Sequence, residues 1–242
     1  MQRIIKKNPA DLAKAAADFI AKRIKEVLKK QDLFTIALSG GSTPKALHEL
    51  LAKSPYVDQI PWLQLHVFWG DERYVPIEDE QSNAGMAYDT LLGHVYTPEN
   101  QIHVWRTDLE PDEAAADYDR ILHTYFGDTG PTFDLVLLGM GDDGHTLSLF
   151  PGTEVVHEQT AWTKAYFLKQ QDMYRLTLTA PLVNRAACIL FLVAGPKKAA
   201  PLREVLEGEY RPDTYPSQVI KPTEGELVWM LDERAAANLS HP

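Results

Sequence analysis

The chain has 242 residues, 45% hydrophobic and 24% charged, ordinary proportions for a globular protein with a sizeable core. Its formal net charge is −10, from 24 basic and 34 acidic side chains, which argues against a general nucleic-acid or anionic-membrane surface but leaves room for a positive pocket holding a small anion. The single cysteine, Cys188, cannot form an internal disulfide, and the amino-terminal stretch carries no secretory pattern. The expectation is therefore a cytoplasmic protein without a membrane span, in one domain over 1–242.

Asn8 suits an N-cap and Pro9 the first position of a helix expected over residues 9–30, whose Leu12, Ala16, Phe19, Ile20, Ile24, Val27 and Leu28 recur at helical spacing. A strand over 34–38 leads into the loop Ser39-Gly40-Gly41-Ser42-Thr43-Pro44 and a helix from Pro44 to about Leu51. Another strand, 65–69, ends in Gly70-Asp71-Glu72-Arg73. Helices are expected over 82–92 and 111–125, with short strands near 101–105 and over 133–138. Strands at 161–168, 173–179 and 187–193, a helix at 197–207, a final strand at 227–231 and a short terminal helix complete the pattern. Residues 210–216 are the longest irregular stretch, expected as a mobile flap or surface loop. Strands alternating with helices predict an α/β protein: a three-layer, Rossmann-like, mostly parallel sheet with helices on both faces. Cys188 falls in an apolar run and reads as a buried strand residue rather than a nucleophile.

The densest chemistry lies over 133–152, FDLVLLGMGDDGHTLSLFPG. An apolar run this short, bounded by glycine, reads as a strand buried on both faces. Just past its carboxyl end, Asp142, Asp143 and His145 stand among Gly139, Gly141 and Gly144, at the edge where open α/β sheets bind ligands. No HxxxH, CxxC or comparable set accompanies His145, so no metal site is expected. Imidazole suits proton transfer at physiological pH, and the flanking glycines leave the ring open to a ligand, which favours a proton acceptor over a packed core histidine. Asp71, Glu72 and Arg73 follow another buried strand and reach the same edge, although one of the acids can simply pair with Arg73. Ser82 and Asn83 read as a plain helix cap. The Gly-x-Ser-x-Gly signature is absent, and neither Ser42 nor Ser148 has an evident histidine partner, so attack by activated water is the simpler chemistry.

The sequence SGGSTP joins a strand to a helix amino terminus, where free N–H groups and the helix dipole offer an anion site; alone, it is equally an ordinary capped turn. Arg175 interrupts an apolar alternation near a strand start, and Lys198 opens a helix, where a cation opposes the dipole unless an anion is bound nearby. An exposed lysine at that point costs little, so the two readings of Lys198 stand together.

These motifs resemble those of the 6-phosphogluconolactonases. The matching blocks are SGGSTP at 39–44, WGDERYVP at 69–76, SNAGMAYDTLL at 82–92, GMGDDGHTLSLFPGT at 139–153, RLTLT at 175–179 and VIKPTEGELVWMLDERAAANL at 219–239, in order over nearly the whole chain. The resemblance implies the α/β fold shared with glucosamine-6-phosphate deaminase-type and ribose-5-phosphate isomerase-type proteins. It implies hydrolysis of 6-phospho-D-glucono-1,5-lactone to 6-phosphogluconate in the oxidative pentose phosphate pathway, with no cofactor and a small sugar phosphate as partner. Oligomeric state stays open between a monomer and a weak dimer. Related deaminases share the GxGxDGH block but continue with an Asn-Glu-containing segment, whereas His145 here leads into the lactonase form, Thr146 to Gly152. Leu147 and Pro216-Ser217-Gln218 depart from commoner alanine-containing versions, which bears on pocket shape rather than reaction class. Carried over by position, the resemblance sets Gly41, Ser42, Thr43, Arg175 and Lys198 around the phosphate. It makes His145 the base and puts Asp71 and Arg73 near the sugar and carbonyl end, with Asp143 expected to orient the histidine. Two other readings are an isomerase or deaminase acting on an aminosugar phosphate through Asp71 and His145, and a sugar-phosphate sensor. The sensor expects an attached helix-turn-helix or basic segment, for which this acidic chain has no room.

Overall fold

Three runs of branched and aromatic residues, 34–38, 135–138 and 188–193, are buried along their whole length, as strands covered on both faces must be. They form the centre of the sheet in the computed structural model, which describes residues 1–240. In chain order the elements are β1 (Gln2–Lys6), α1 (Pro9–Val27), β2 (Phe34–Leu38), α2 (Ser42–Leu51), α3 (Tyr56–Gln59), β3 (Leu65–Trp69), β4 (Asp71–Arg73) and α4 (Asn83–Thr90). There follow α5 (Pro111–Tyr125), β5 (Leu135–Leu138), β6 (Thr163–Leu168), β7 (Met173–Leu178), α6 (Ala180–Val183), β8 (Cys188–Val193), α7 (Ala199–Glu207) and β9 (Glu226–Asp232).

The main sheet has six strands in the order β1-β9-β8-β5-β2-β3, and every neighbouring pair is parallel. Helices flank it: α1 packs on β1 and β9, and α2 on β8. The chain leaves β2 for β3 at one edge, then returns to the other flank of β2 as β5 and runs on towards β8 and β9. The carboxyl ends of β2 and β5 therefore meet at a topological switch point, where the loops that follow them diverge around a crevice.

A second sheet, β4-β7-β6, is antiparallel and has three strands. Gly70 is the joint between the two sheets. Its N–H donates to the Leu38 carbonyl at 2.9 Å, while its own carbonyl accepts from the Leu178 N–H at 2.8 Å. Helix α5 packs against β6 and β7 of this smaller sheet.

The mostly parallel α/β sheet agrees with the sequence reading, and several details differ. Strand β1 was not expected, because its short run QRIIK lacks the alternation of a half-buried strand; it adds to the edge by pairing with β9. Residues 71–73, read only as following the strand at 65–69, form a strand of their own, β4, since Gly70 redirects the chain into the second sheet. No strand forms at 101–105; a single bridge between Val67 and Ile102 stands there, after a 3₁₀ turn at Glu99–Gln101. Helix α1 stops at Val27 rather than Lys30, and α2 starts two residues before Pro44, at Ser42. The expected terminal helix is replaced by turns at 233–238. Residues 210–216 form a surface loop, the second of the two expected alternatives, held by hydrogen bonds: the Asp213 carbonyl accepts from Gly152 N–H, and Ser217 N–H and Oγ both donate to the Gly144 carbonyl at 2.9 and 2.8 Å. Cys188 is buried in β8, and among the described residues no helix is long and apolar enough to cross a membrane.

One buried group gives the fold a pH dependence. His48 of α2 is fully enclosed, its Nδ1 3.4 Å from Thr90 Oγ1 and its Nε2 without any partner. Burial pushes its pKa down from 6.5 to about 4. The folded protein thus favours neutral imidazole, and the unfolded chain gains the proton first as pH falls. This contribution is complete above pH 6.5 and is lost progressively towards pH 4, up to about 3 kcal/mol. Thermal melts across that window are expected to show a shallower pH slope for His48→Leu than for the parent. An identical slope in both would remove His48 as the source.

Candidate active site

A cleft of about 280 Å³ opens at the carboxyl edge of the main sheet, above the switch point. The loop after β2 supplies Ser39, Gly40 and Gly41, the loop after β5 supplies Gly139, Met140, Gly141 and His145, and β4 supplies Asp71 and Arg73. Asn83 of α4, Arg175 of β7 and Lys198, which lies after β8, complete the walls with Thr146 and Leu147. Six of the expected site residues, Gly41, Asp71, Arg73, His145, Arg175 and Lys198, thus share one cavity. Ser42, Thr43 and Asp143 flank it through the first turn of α2 and the His145 turn.

His145 is held by a turn closed on itself: Gly141 N–H donates to the His145 carbonyl at 2.8 Å and Gly144 N–H to the Gly141 carbonyl at 3.1 Å. Its Nδ1 lies 2.6 Å from Asp143 Oδ1, and that same oxygen accepts from the His145 backbone N–H at 3.1 Å. Partial burial opposes ionisation of Asp143, but the hydrogen bonds from the His145 ring and backbone outweigh it and hold the carboxyl below its ordinary range. An ionised carboxylate only accepts, so Nδ1 carries a proton, and in the neutral ring Nε2 is the nitrogen with the lone pair. The ring stacks on Phe150, with centroids 4.0 Å apart, which fixes its plane.

Across the cleft, Gly41 is the N-cap of α2, with φ of 101° and no side-chain cap. The first turn of any helix leaves N–H groups without intrahelical acceptors, so Ser42 and Thr43 bring backbone donors and hydroxyls to this end. Gly40 is needed for another reason: a Cβ there would lie 1.8 Å from Asn83 Oδ1. The Asn83 side chain is wedged against that loop while its Nδ2 donates to the Asp71 carbonyl at 2.8 Å, so it spaces the α2 approach from β4. Lys198 reaches in from the Gly195-Pro196-Lys197-Lys198 turn and pairs with Asp142, Nζ to Oδ1, at 2.6 Å.

The floor is a buried ionic cluster. Arg175 Nη2 and Ser148 Oγ both donate to Asp71 Oδ2, at 2.9 and 2.6 Å, and Arg175 Nε donates to Ser148 Oγ at 2.9 Å. Arg175 Nη1 donates to Gln171 Oε1 at 3.0 Å, so every guanidinium nitrogen already holds a protein partner. Arg73 is freer: Nη1 donates to the Gln81 carbonyl at 2.6 Å, and its buried Nε has no partner. Glu72, next to it, is turned away to serve as an anchor. Its carboxylate accepts from the backbone N–H groups of Arg73, Asn83 and Ala84 and from Ser82 Oγ, clamping the amino end of α4. Burial drives the Glu72 pKa up, against the pull of those hydrogen bonds.

Sequence reasoning passed over Asn83, Ser148 and Phe150. Asn83 read as a helix cap, but the side chain that caps α4 is that of Ser82, which accepts from Gly85 N–H at 2.9 Å. Ser148 was set aside for want of a histidine partner; its partners are the acid and the guanidinium. Phe150 carried no polar signal at all. Among the described residues, no group of three or more His, Cys, Asp or Glu side chains is arranged to hold a metal ion.

Residues 7–229 match the family model for glucosamine-6-phosphate isomerases/6-phosphogluconolactonase. The chain belongs to that family. It is 43% identical over 237 residues to a 6-phosphogluconolactonase of Synechocystis sp., covering 96% of this chain and 95% of that one. A 6-phosphogluconolactonase of Nostoc sp. is 42% identical over 227 residues, covering 92% of each chain. Among solved structures, a 6-phosphogluconolactonase from Trypanosoma cruzi superposes with a TM-score of 0.87 at 27% identity, covering 99% of this chain and 97% of that one. The chain therefore sits with the lactone-hydrolysing enzymes of the family.

The two loop glycines are expected to fail differently when replaced. Gly41→Ala meets no atom within 4 Å but must hold a φ of 101° with ψ of 172°, an essentially glycine-only conformation that costs about 1–3 kcal/mol. Gly40→Ala instead drives into Asn83 and breaks the link to β4. Thermal melts should place Gly40→Ala well below Gly41→Ala; the reverse order would contradict the wedge.

Proposed function

We propose that this chain hydrolyses 6-phospho-D-glucono-1,5-lactone to 6-phosphogluconate, with His145 as general base. The observation that carries the reading is the Asp143–His145 pair, which makes Nε2 the accepting nitrogen of the neutral ring, at a cleft whose other wall is a helix amino terminus flanked by a lysine. The relatives' name supports the same reaction class.

In this mechanism Nε2 takes a proton from water as the oxygen attacks the lactone carbonyl carbon. The carbonyl π electrons move to oxygen, giving a tetrahedral oxyanion. Arg73, which lines the cleft beside Asp71, is the donor for that charge. When the carbonyl re-forms, the bond to the ring oxygen breaks and the imidazolium returns its proton to that oxygen, leaving a carboxylic acid that ionises and a free hydroxyl. Asp143 keeps the imidazole in the required tautomer and stabilises its charged form.

Phosphate recognition falls to Gly41, Ser42 and Thr43, through first-turn N–H groups and hydroxyls, and to Lys198. The Lys198–Asp142 pair is partly exposed, so exchanging Asp142 for a phosphate costs little. Arg175, held by Asp71, Ser148 and Gln171 through one N–H on each nitrogen, adds positive potential from the floor. Anchoring one end of the sugar holds the carbonyl over Nε2.

His145→Ala is expected to lower kcat by about 10²–10⁴-fold with little change in KM, measured on freshly generated lactone and corrected for spontaneous opening. Turnover comparable to the parent would take His145 out of the mechanism. Lys198→Ala should instead act mainly on KM. An unphosphorylated gluconolactone opened as efficiently as the phosphorylated one would refute the anion anchor.

A further inference from the structure

An arginine fork normally grips a carboxylate with two nitrogens on two oxygens. At the floor of this cleft it does not. Arg175 turns its Nε/Nη2 edge towards Asp71, but only Nη2 reaches the carboxylate, at Oδ2; the Nε position is taken by Ser148 Oγ. Ser148 in turn passes its own proton to the same Oδ2, at 2.6 Å. Both donors thus fall on one oxygen, and Oδ1 accepts no hydrogen bond from any described residue, although Asp71 lines the cavity.

Ser148 cannot drift from this place. It is fully buried; its N–H donates to Thr177 Oγ1 at 3.2 Å, and its carbonyl accepts from Tyr166 OH at 2.6 Å. Backbone and side chain are both tied to the second sheet, so the hydroxyl is fixed between acid and guanidinium from outside the pair.

From this we infer that Ser148 is a positioning residue: it acts as a spacer that keeps the Asp71–Arg175 contact one-sided and so holds Asp71 Oδ1 free to accept a ring hydroxyl of the substrate. The inference rests on the lactonase reading. An ionised oxygen with a charged neighbour and no protein donor is a strong, directional acceptor, and the lactone carries hydroxyls between its carbonyl and its phosphate-bearing carbon. Without the Ser148 hydroxyl, the carboxylate is free to roll onto both nitrogens of the fork and withdraw Oδ1.

The test compares the parent with Ser148→Ala on the natural lactone and on its 2-deoxy, 3-deoxy and 4-deoxy counterparts, each made fresh by oxidising the matching deoxy-sugar phosphate. In the parent, kcat/KM is expected to fall by about 10- to 100-fold for at least one deoxy lactone, the loss of one hydrogen bond to a charged group. Ser148→Ala should lose a comparable factor on the natural lactone and discriminate far less against that same deoxy compound. A merely structural serine would lower activity on all the lactones together. A folded Ser148→Ala whose kcat/KM and discrimination stay within about twofold of the parent's overturns the inference, as does a parent indifferent to all three deletions. Should Ser148→Ala fail to fold, Asp71→Asn decides: it keeps the shape but replaces the charged acceptor, and parental discrimination in that variant is equally fatal. A parent that opens none of the lactones above the spontaneous rate would defeat the lactonase reading itself, a separate outcome.

Discussion

A carboxylate and a guanidinium held away from water set most of the geometry of this cleft. The side chains of Asp71 and Arg175 are 8% and 4% exposed, so each has surrendered nearly all of its hydration. Their attraction offsets that loss only if the contact is close and the remaining donors are occupied. Here the partners arrive from separate stretches of chain: Ser148 from the turn after β5, Gln171 from the turn before β7, and the β4–β7 ladder that faces Asp71 with Thr177. Meeting those requirements locks the His145 turn, the small sheet and β4 into one arrangement. His145 lies three residues before Ser148, so the same lock fixes the base.

The cluster also explains how an acidic chain presents a site for an anion. Two carboxylates at this edge are matched by cations, Asp71 by Arg175 and Asp142 by Lys198, and Asp143 is hydrogen-bonded by His145. The charges of Asp71 and Asp142 are compensated locally, and the amino end of α2 and part of the Arg73 guanidinium are among the donors left unpaired. The pairs differ in how readily they open. Asp71–Arg175 is buried, and breaking it would strand a charge; Asp142–Lys198 is partly exposed, where ion pairs are worth little. A phosphate can therefore recruit Lys198 while the floor stays intact.

The parallel sheet and the loops that carry the site were legible because their signals are local. Buried strands show as unbroken apolar runs, and the glycines and charged residues that follow them mark the ligand edge. The second sheet was not legible, since it depends on Gly70 bonding to Leu38 on one side and Leu178 on the other, partners remote in sequence. Pairing was equally hidden. Arg175 stood out as a cation in an apolar stretch, but nothing near it in the chain shows that Asp71, more than a hundred residues away, occupies its fork. Ser148 and Asn83 were missed for the same reason: their value lies in what tertiary structure brings beside them.

Leu147 shows how the turn sustains this arrangement. Its φ of 52° is left-handed, which costs a branched side chain about 1–2 kcal/mol. Glycine would relieve that strain but would also give up the buried leucine, worth about 1.5–3 kcal/mol of apolar burial. The leucine packs where a Cβ on Gly70 would stand, 2.6 Å from its Cδ2, so the sheet joint and the turn are complementary surfaces. The two terms are close, with packing the larger. The reversal at Leu147 also serves the site directly. It separates Thr146, whose Oγ1 donates back to the Gly139 carbonyl at 2.8 Å, from Ser148, whose Oγ points to Asp71. One strained residue lets near neighbours in the chain brace two different walls of the cleft.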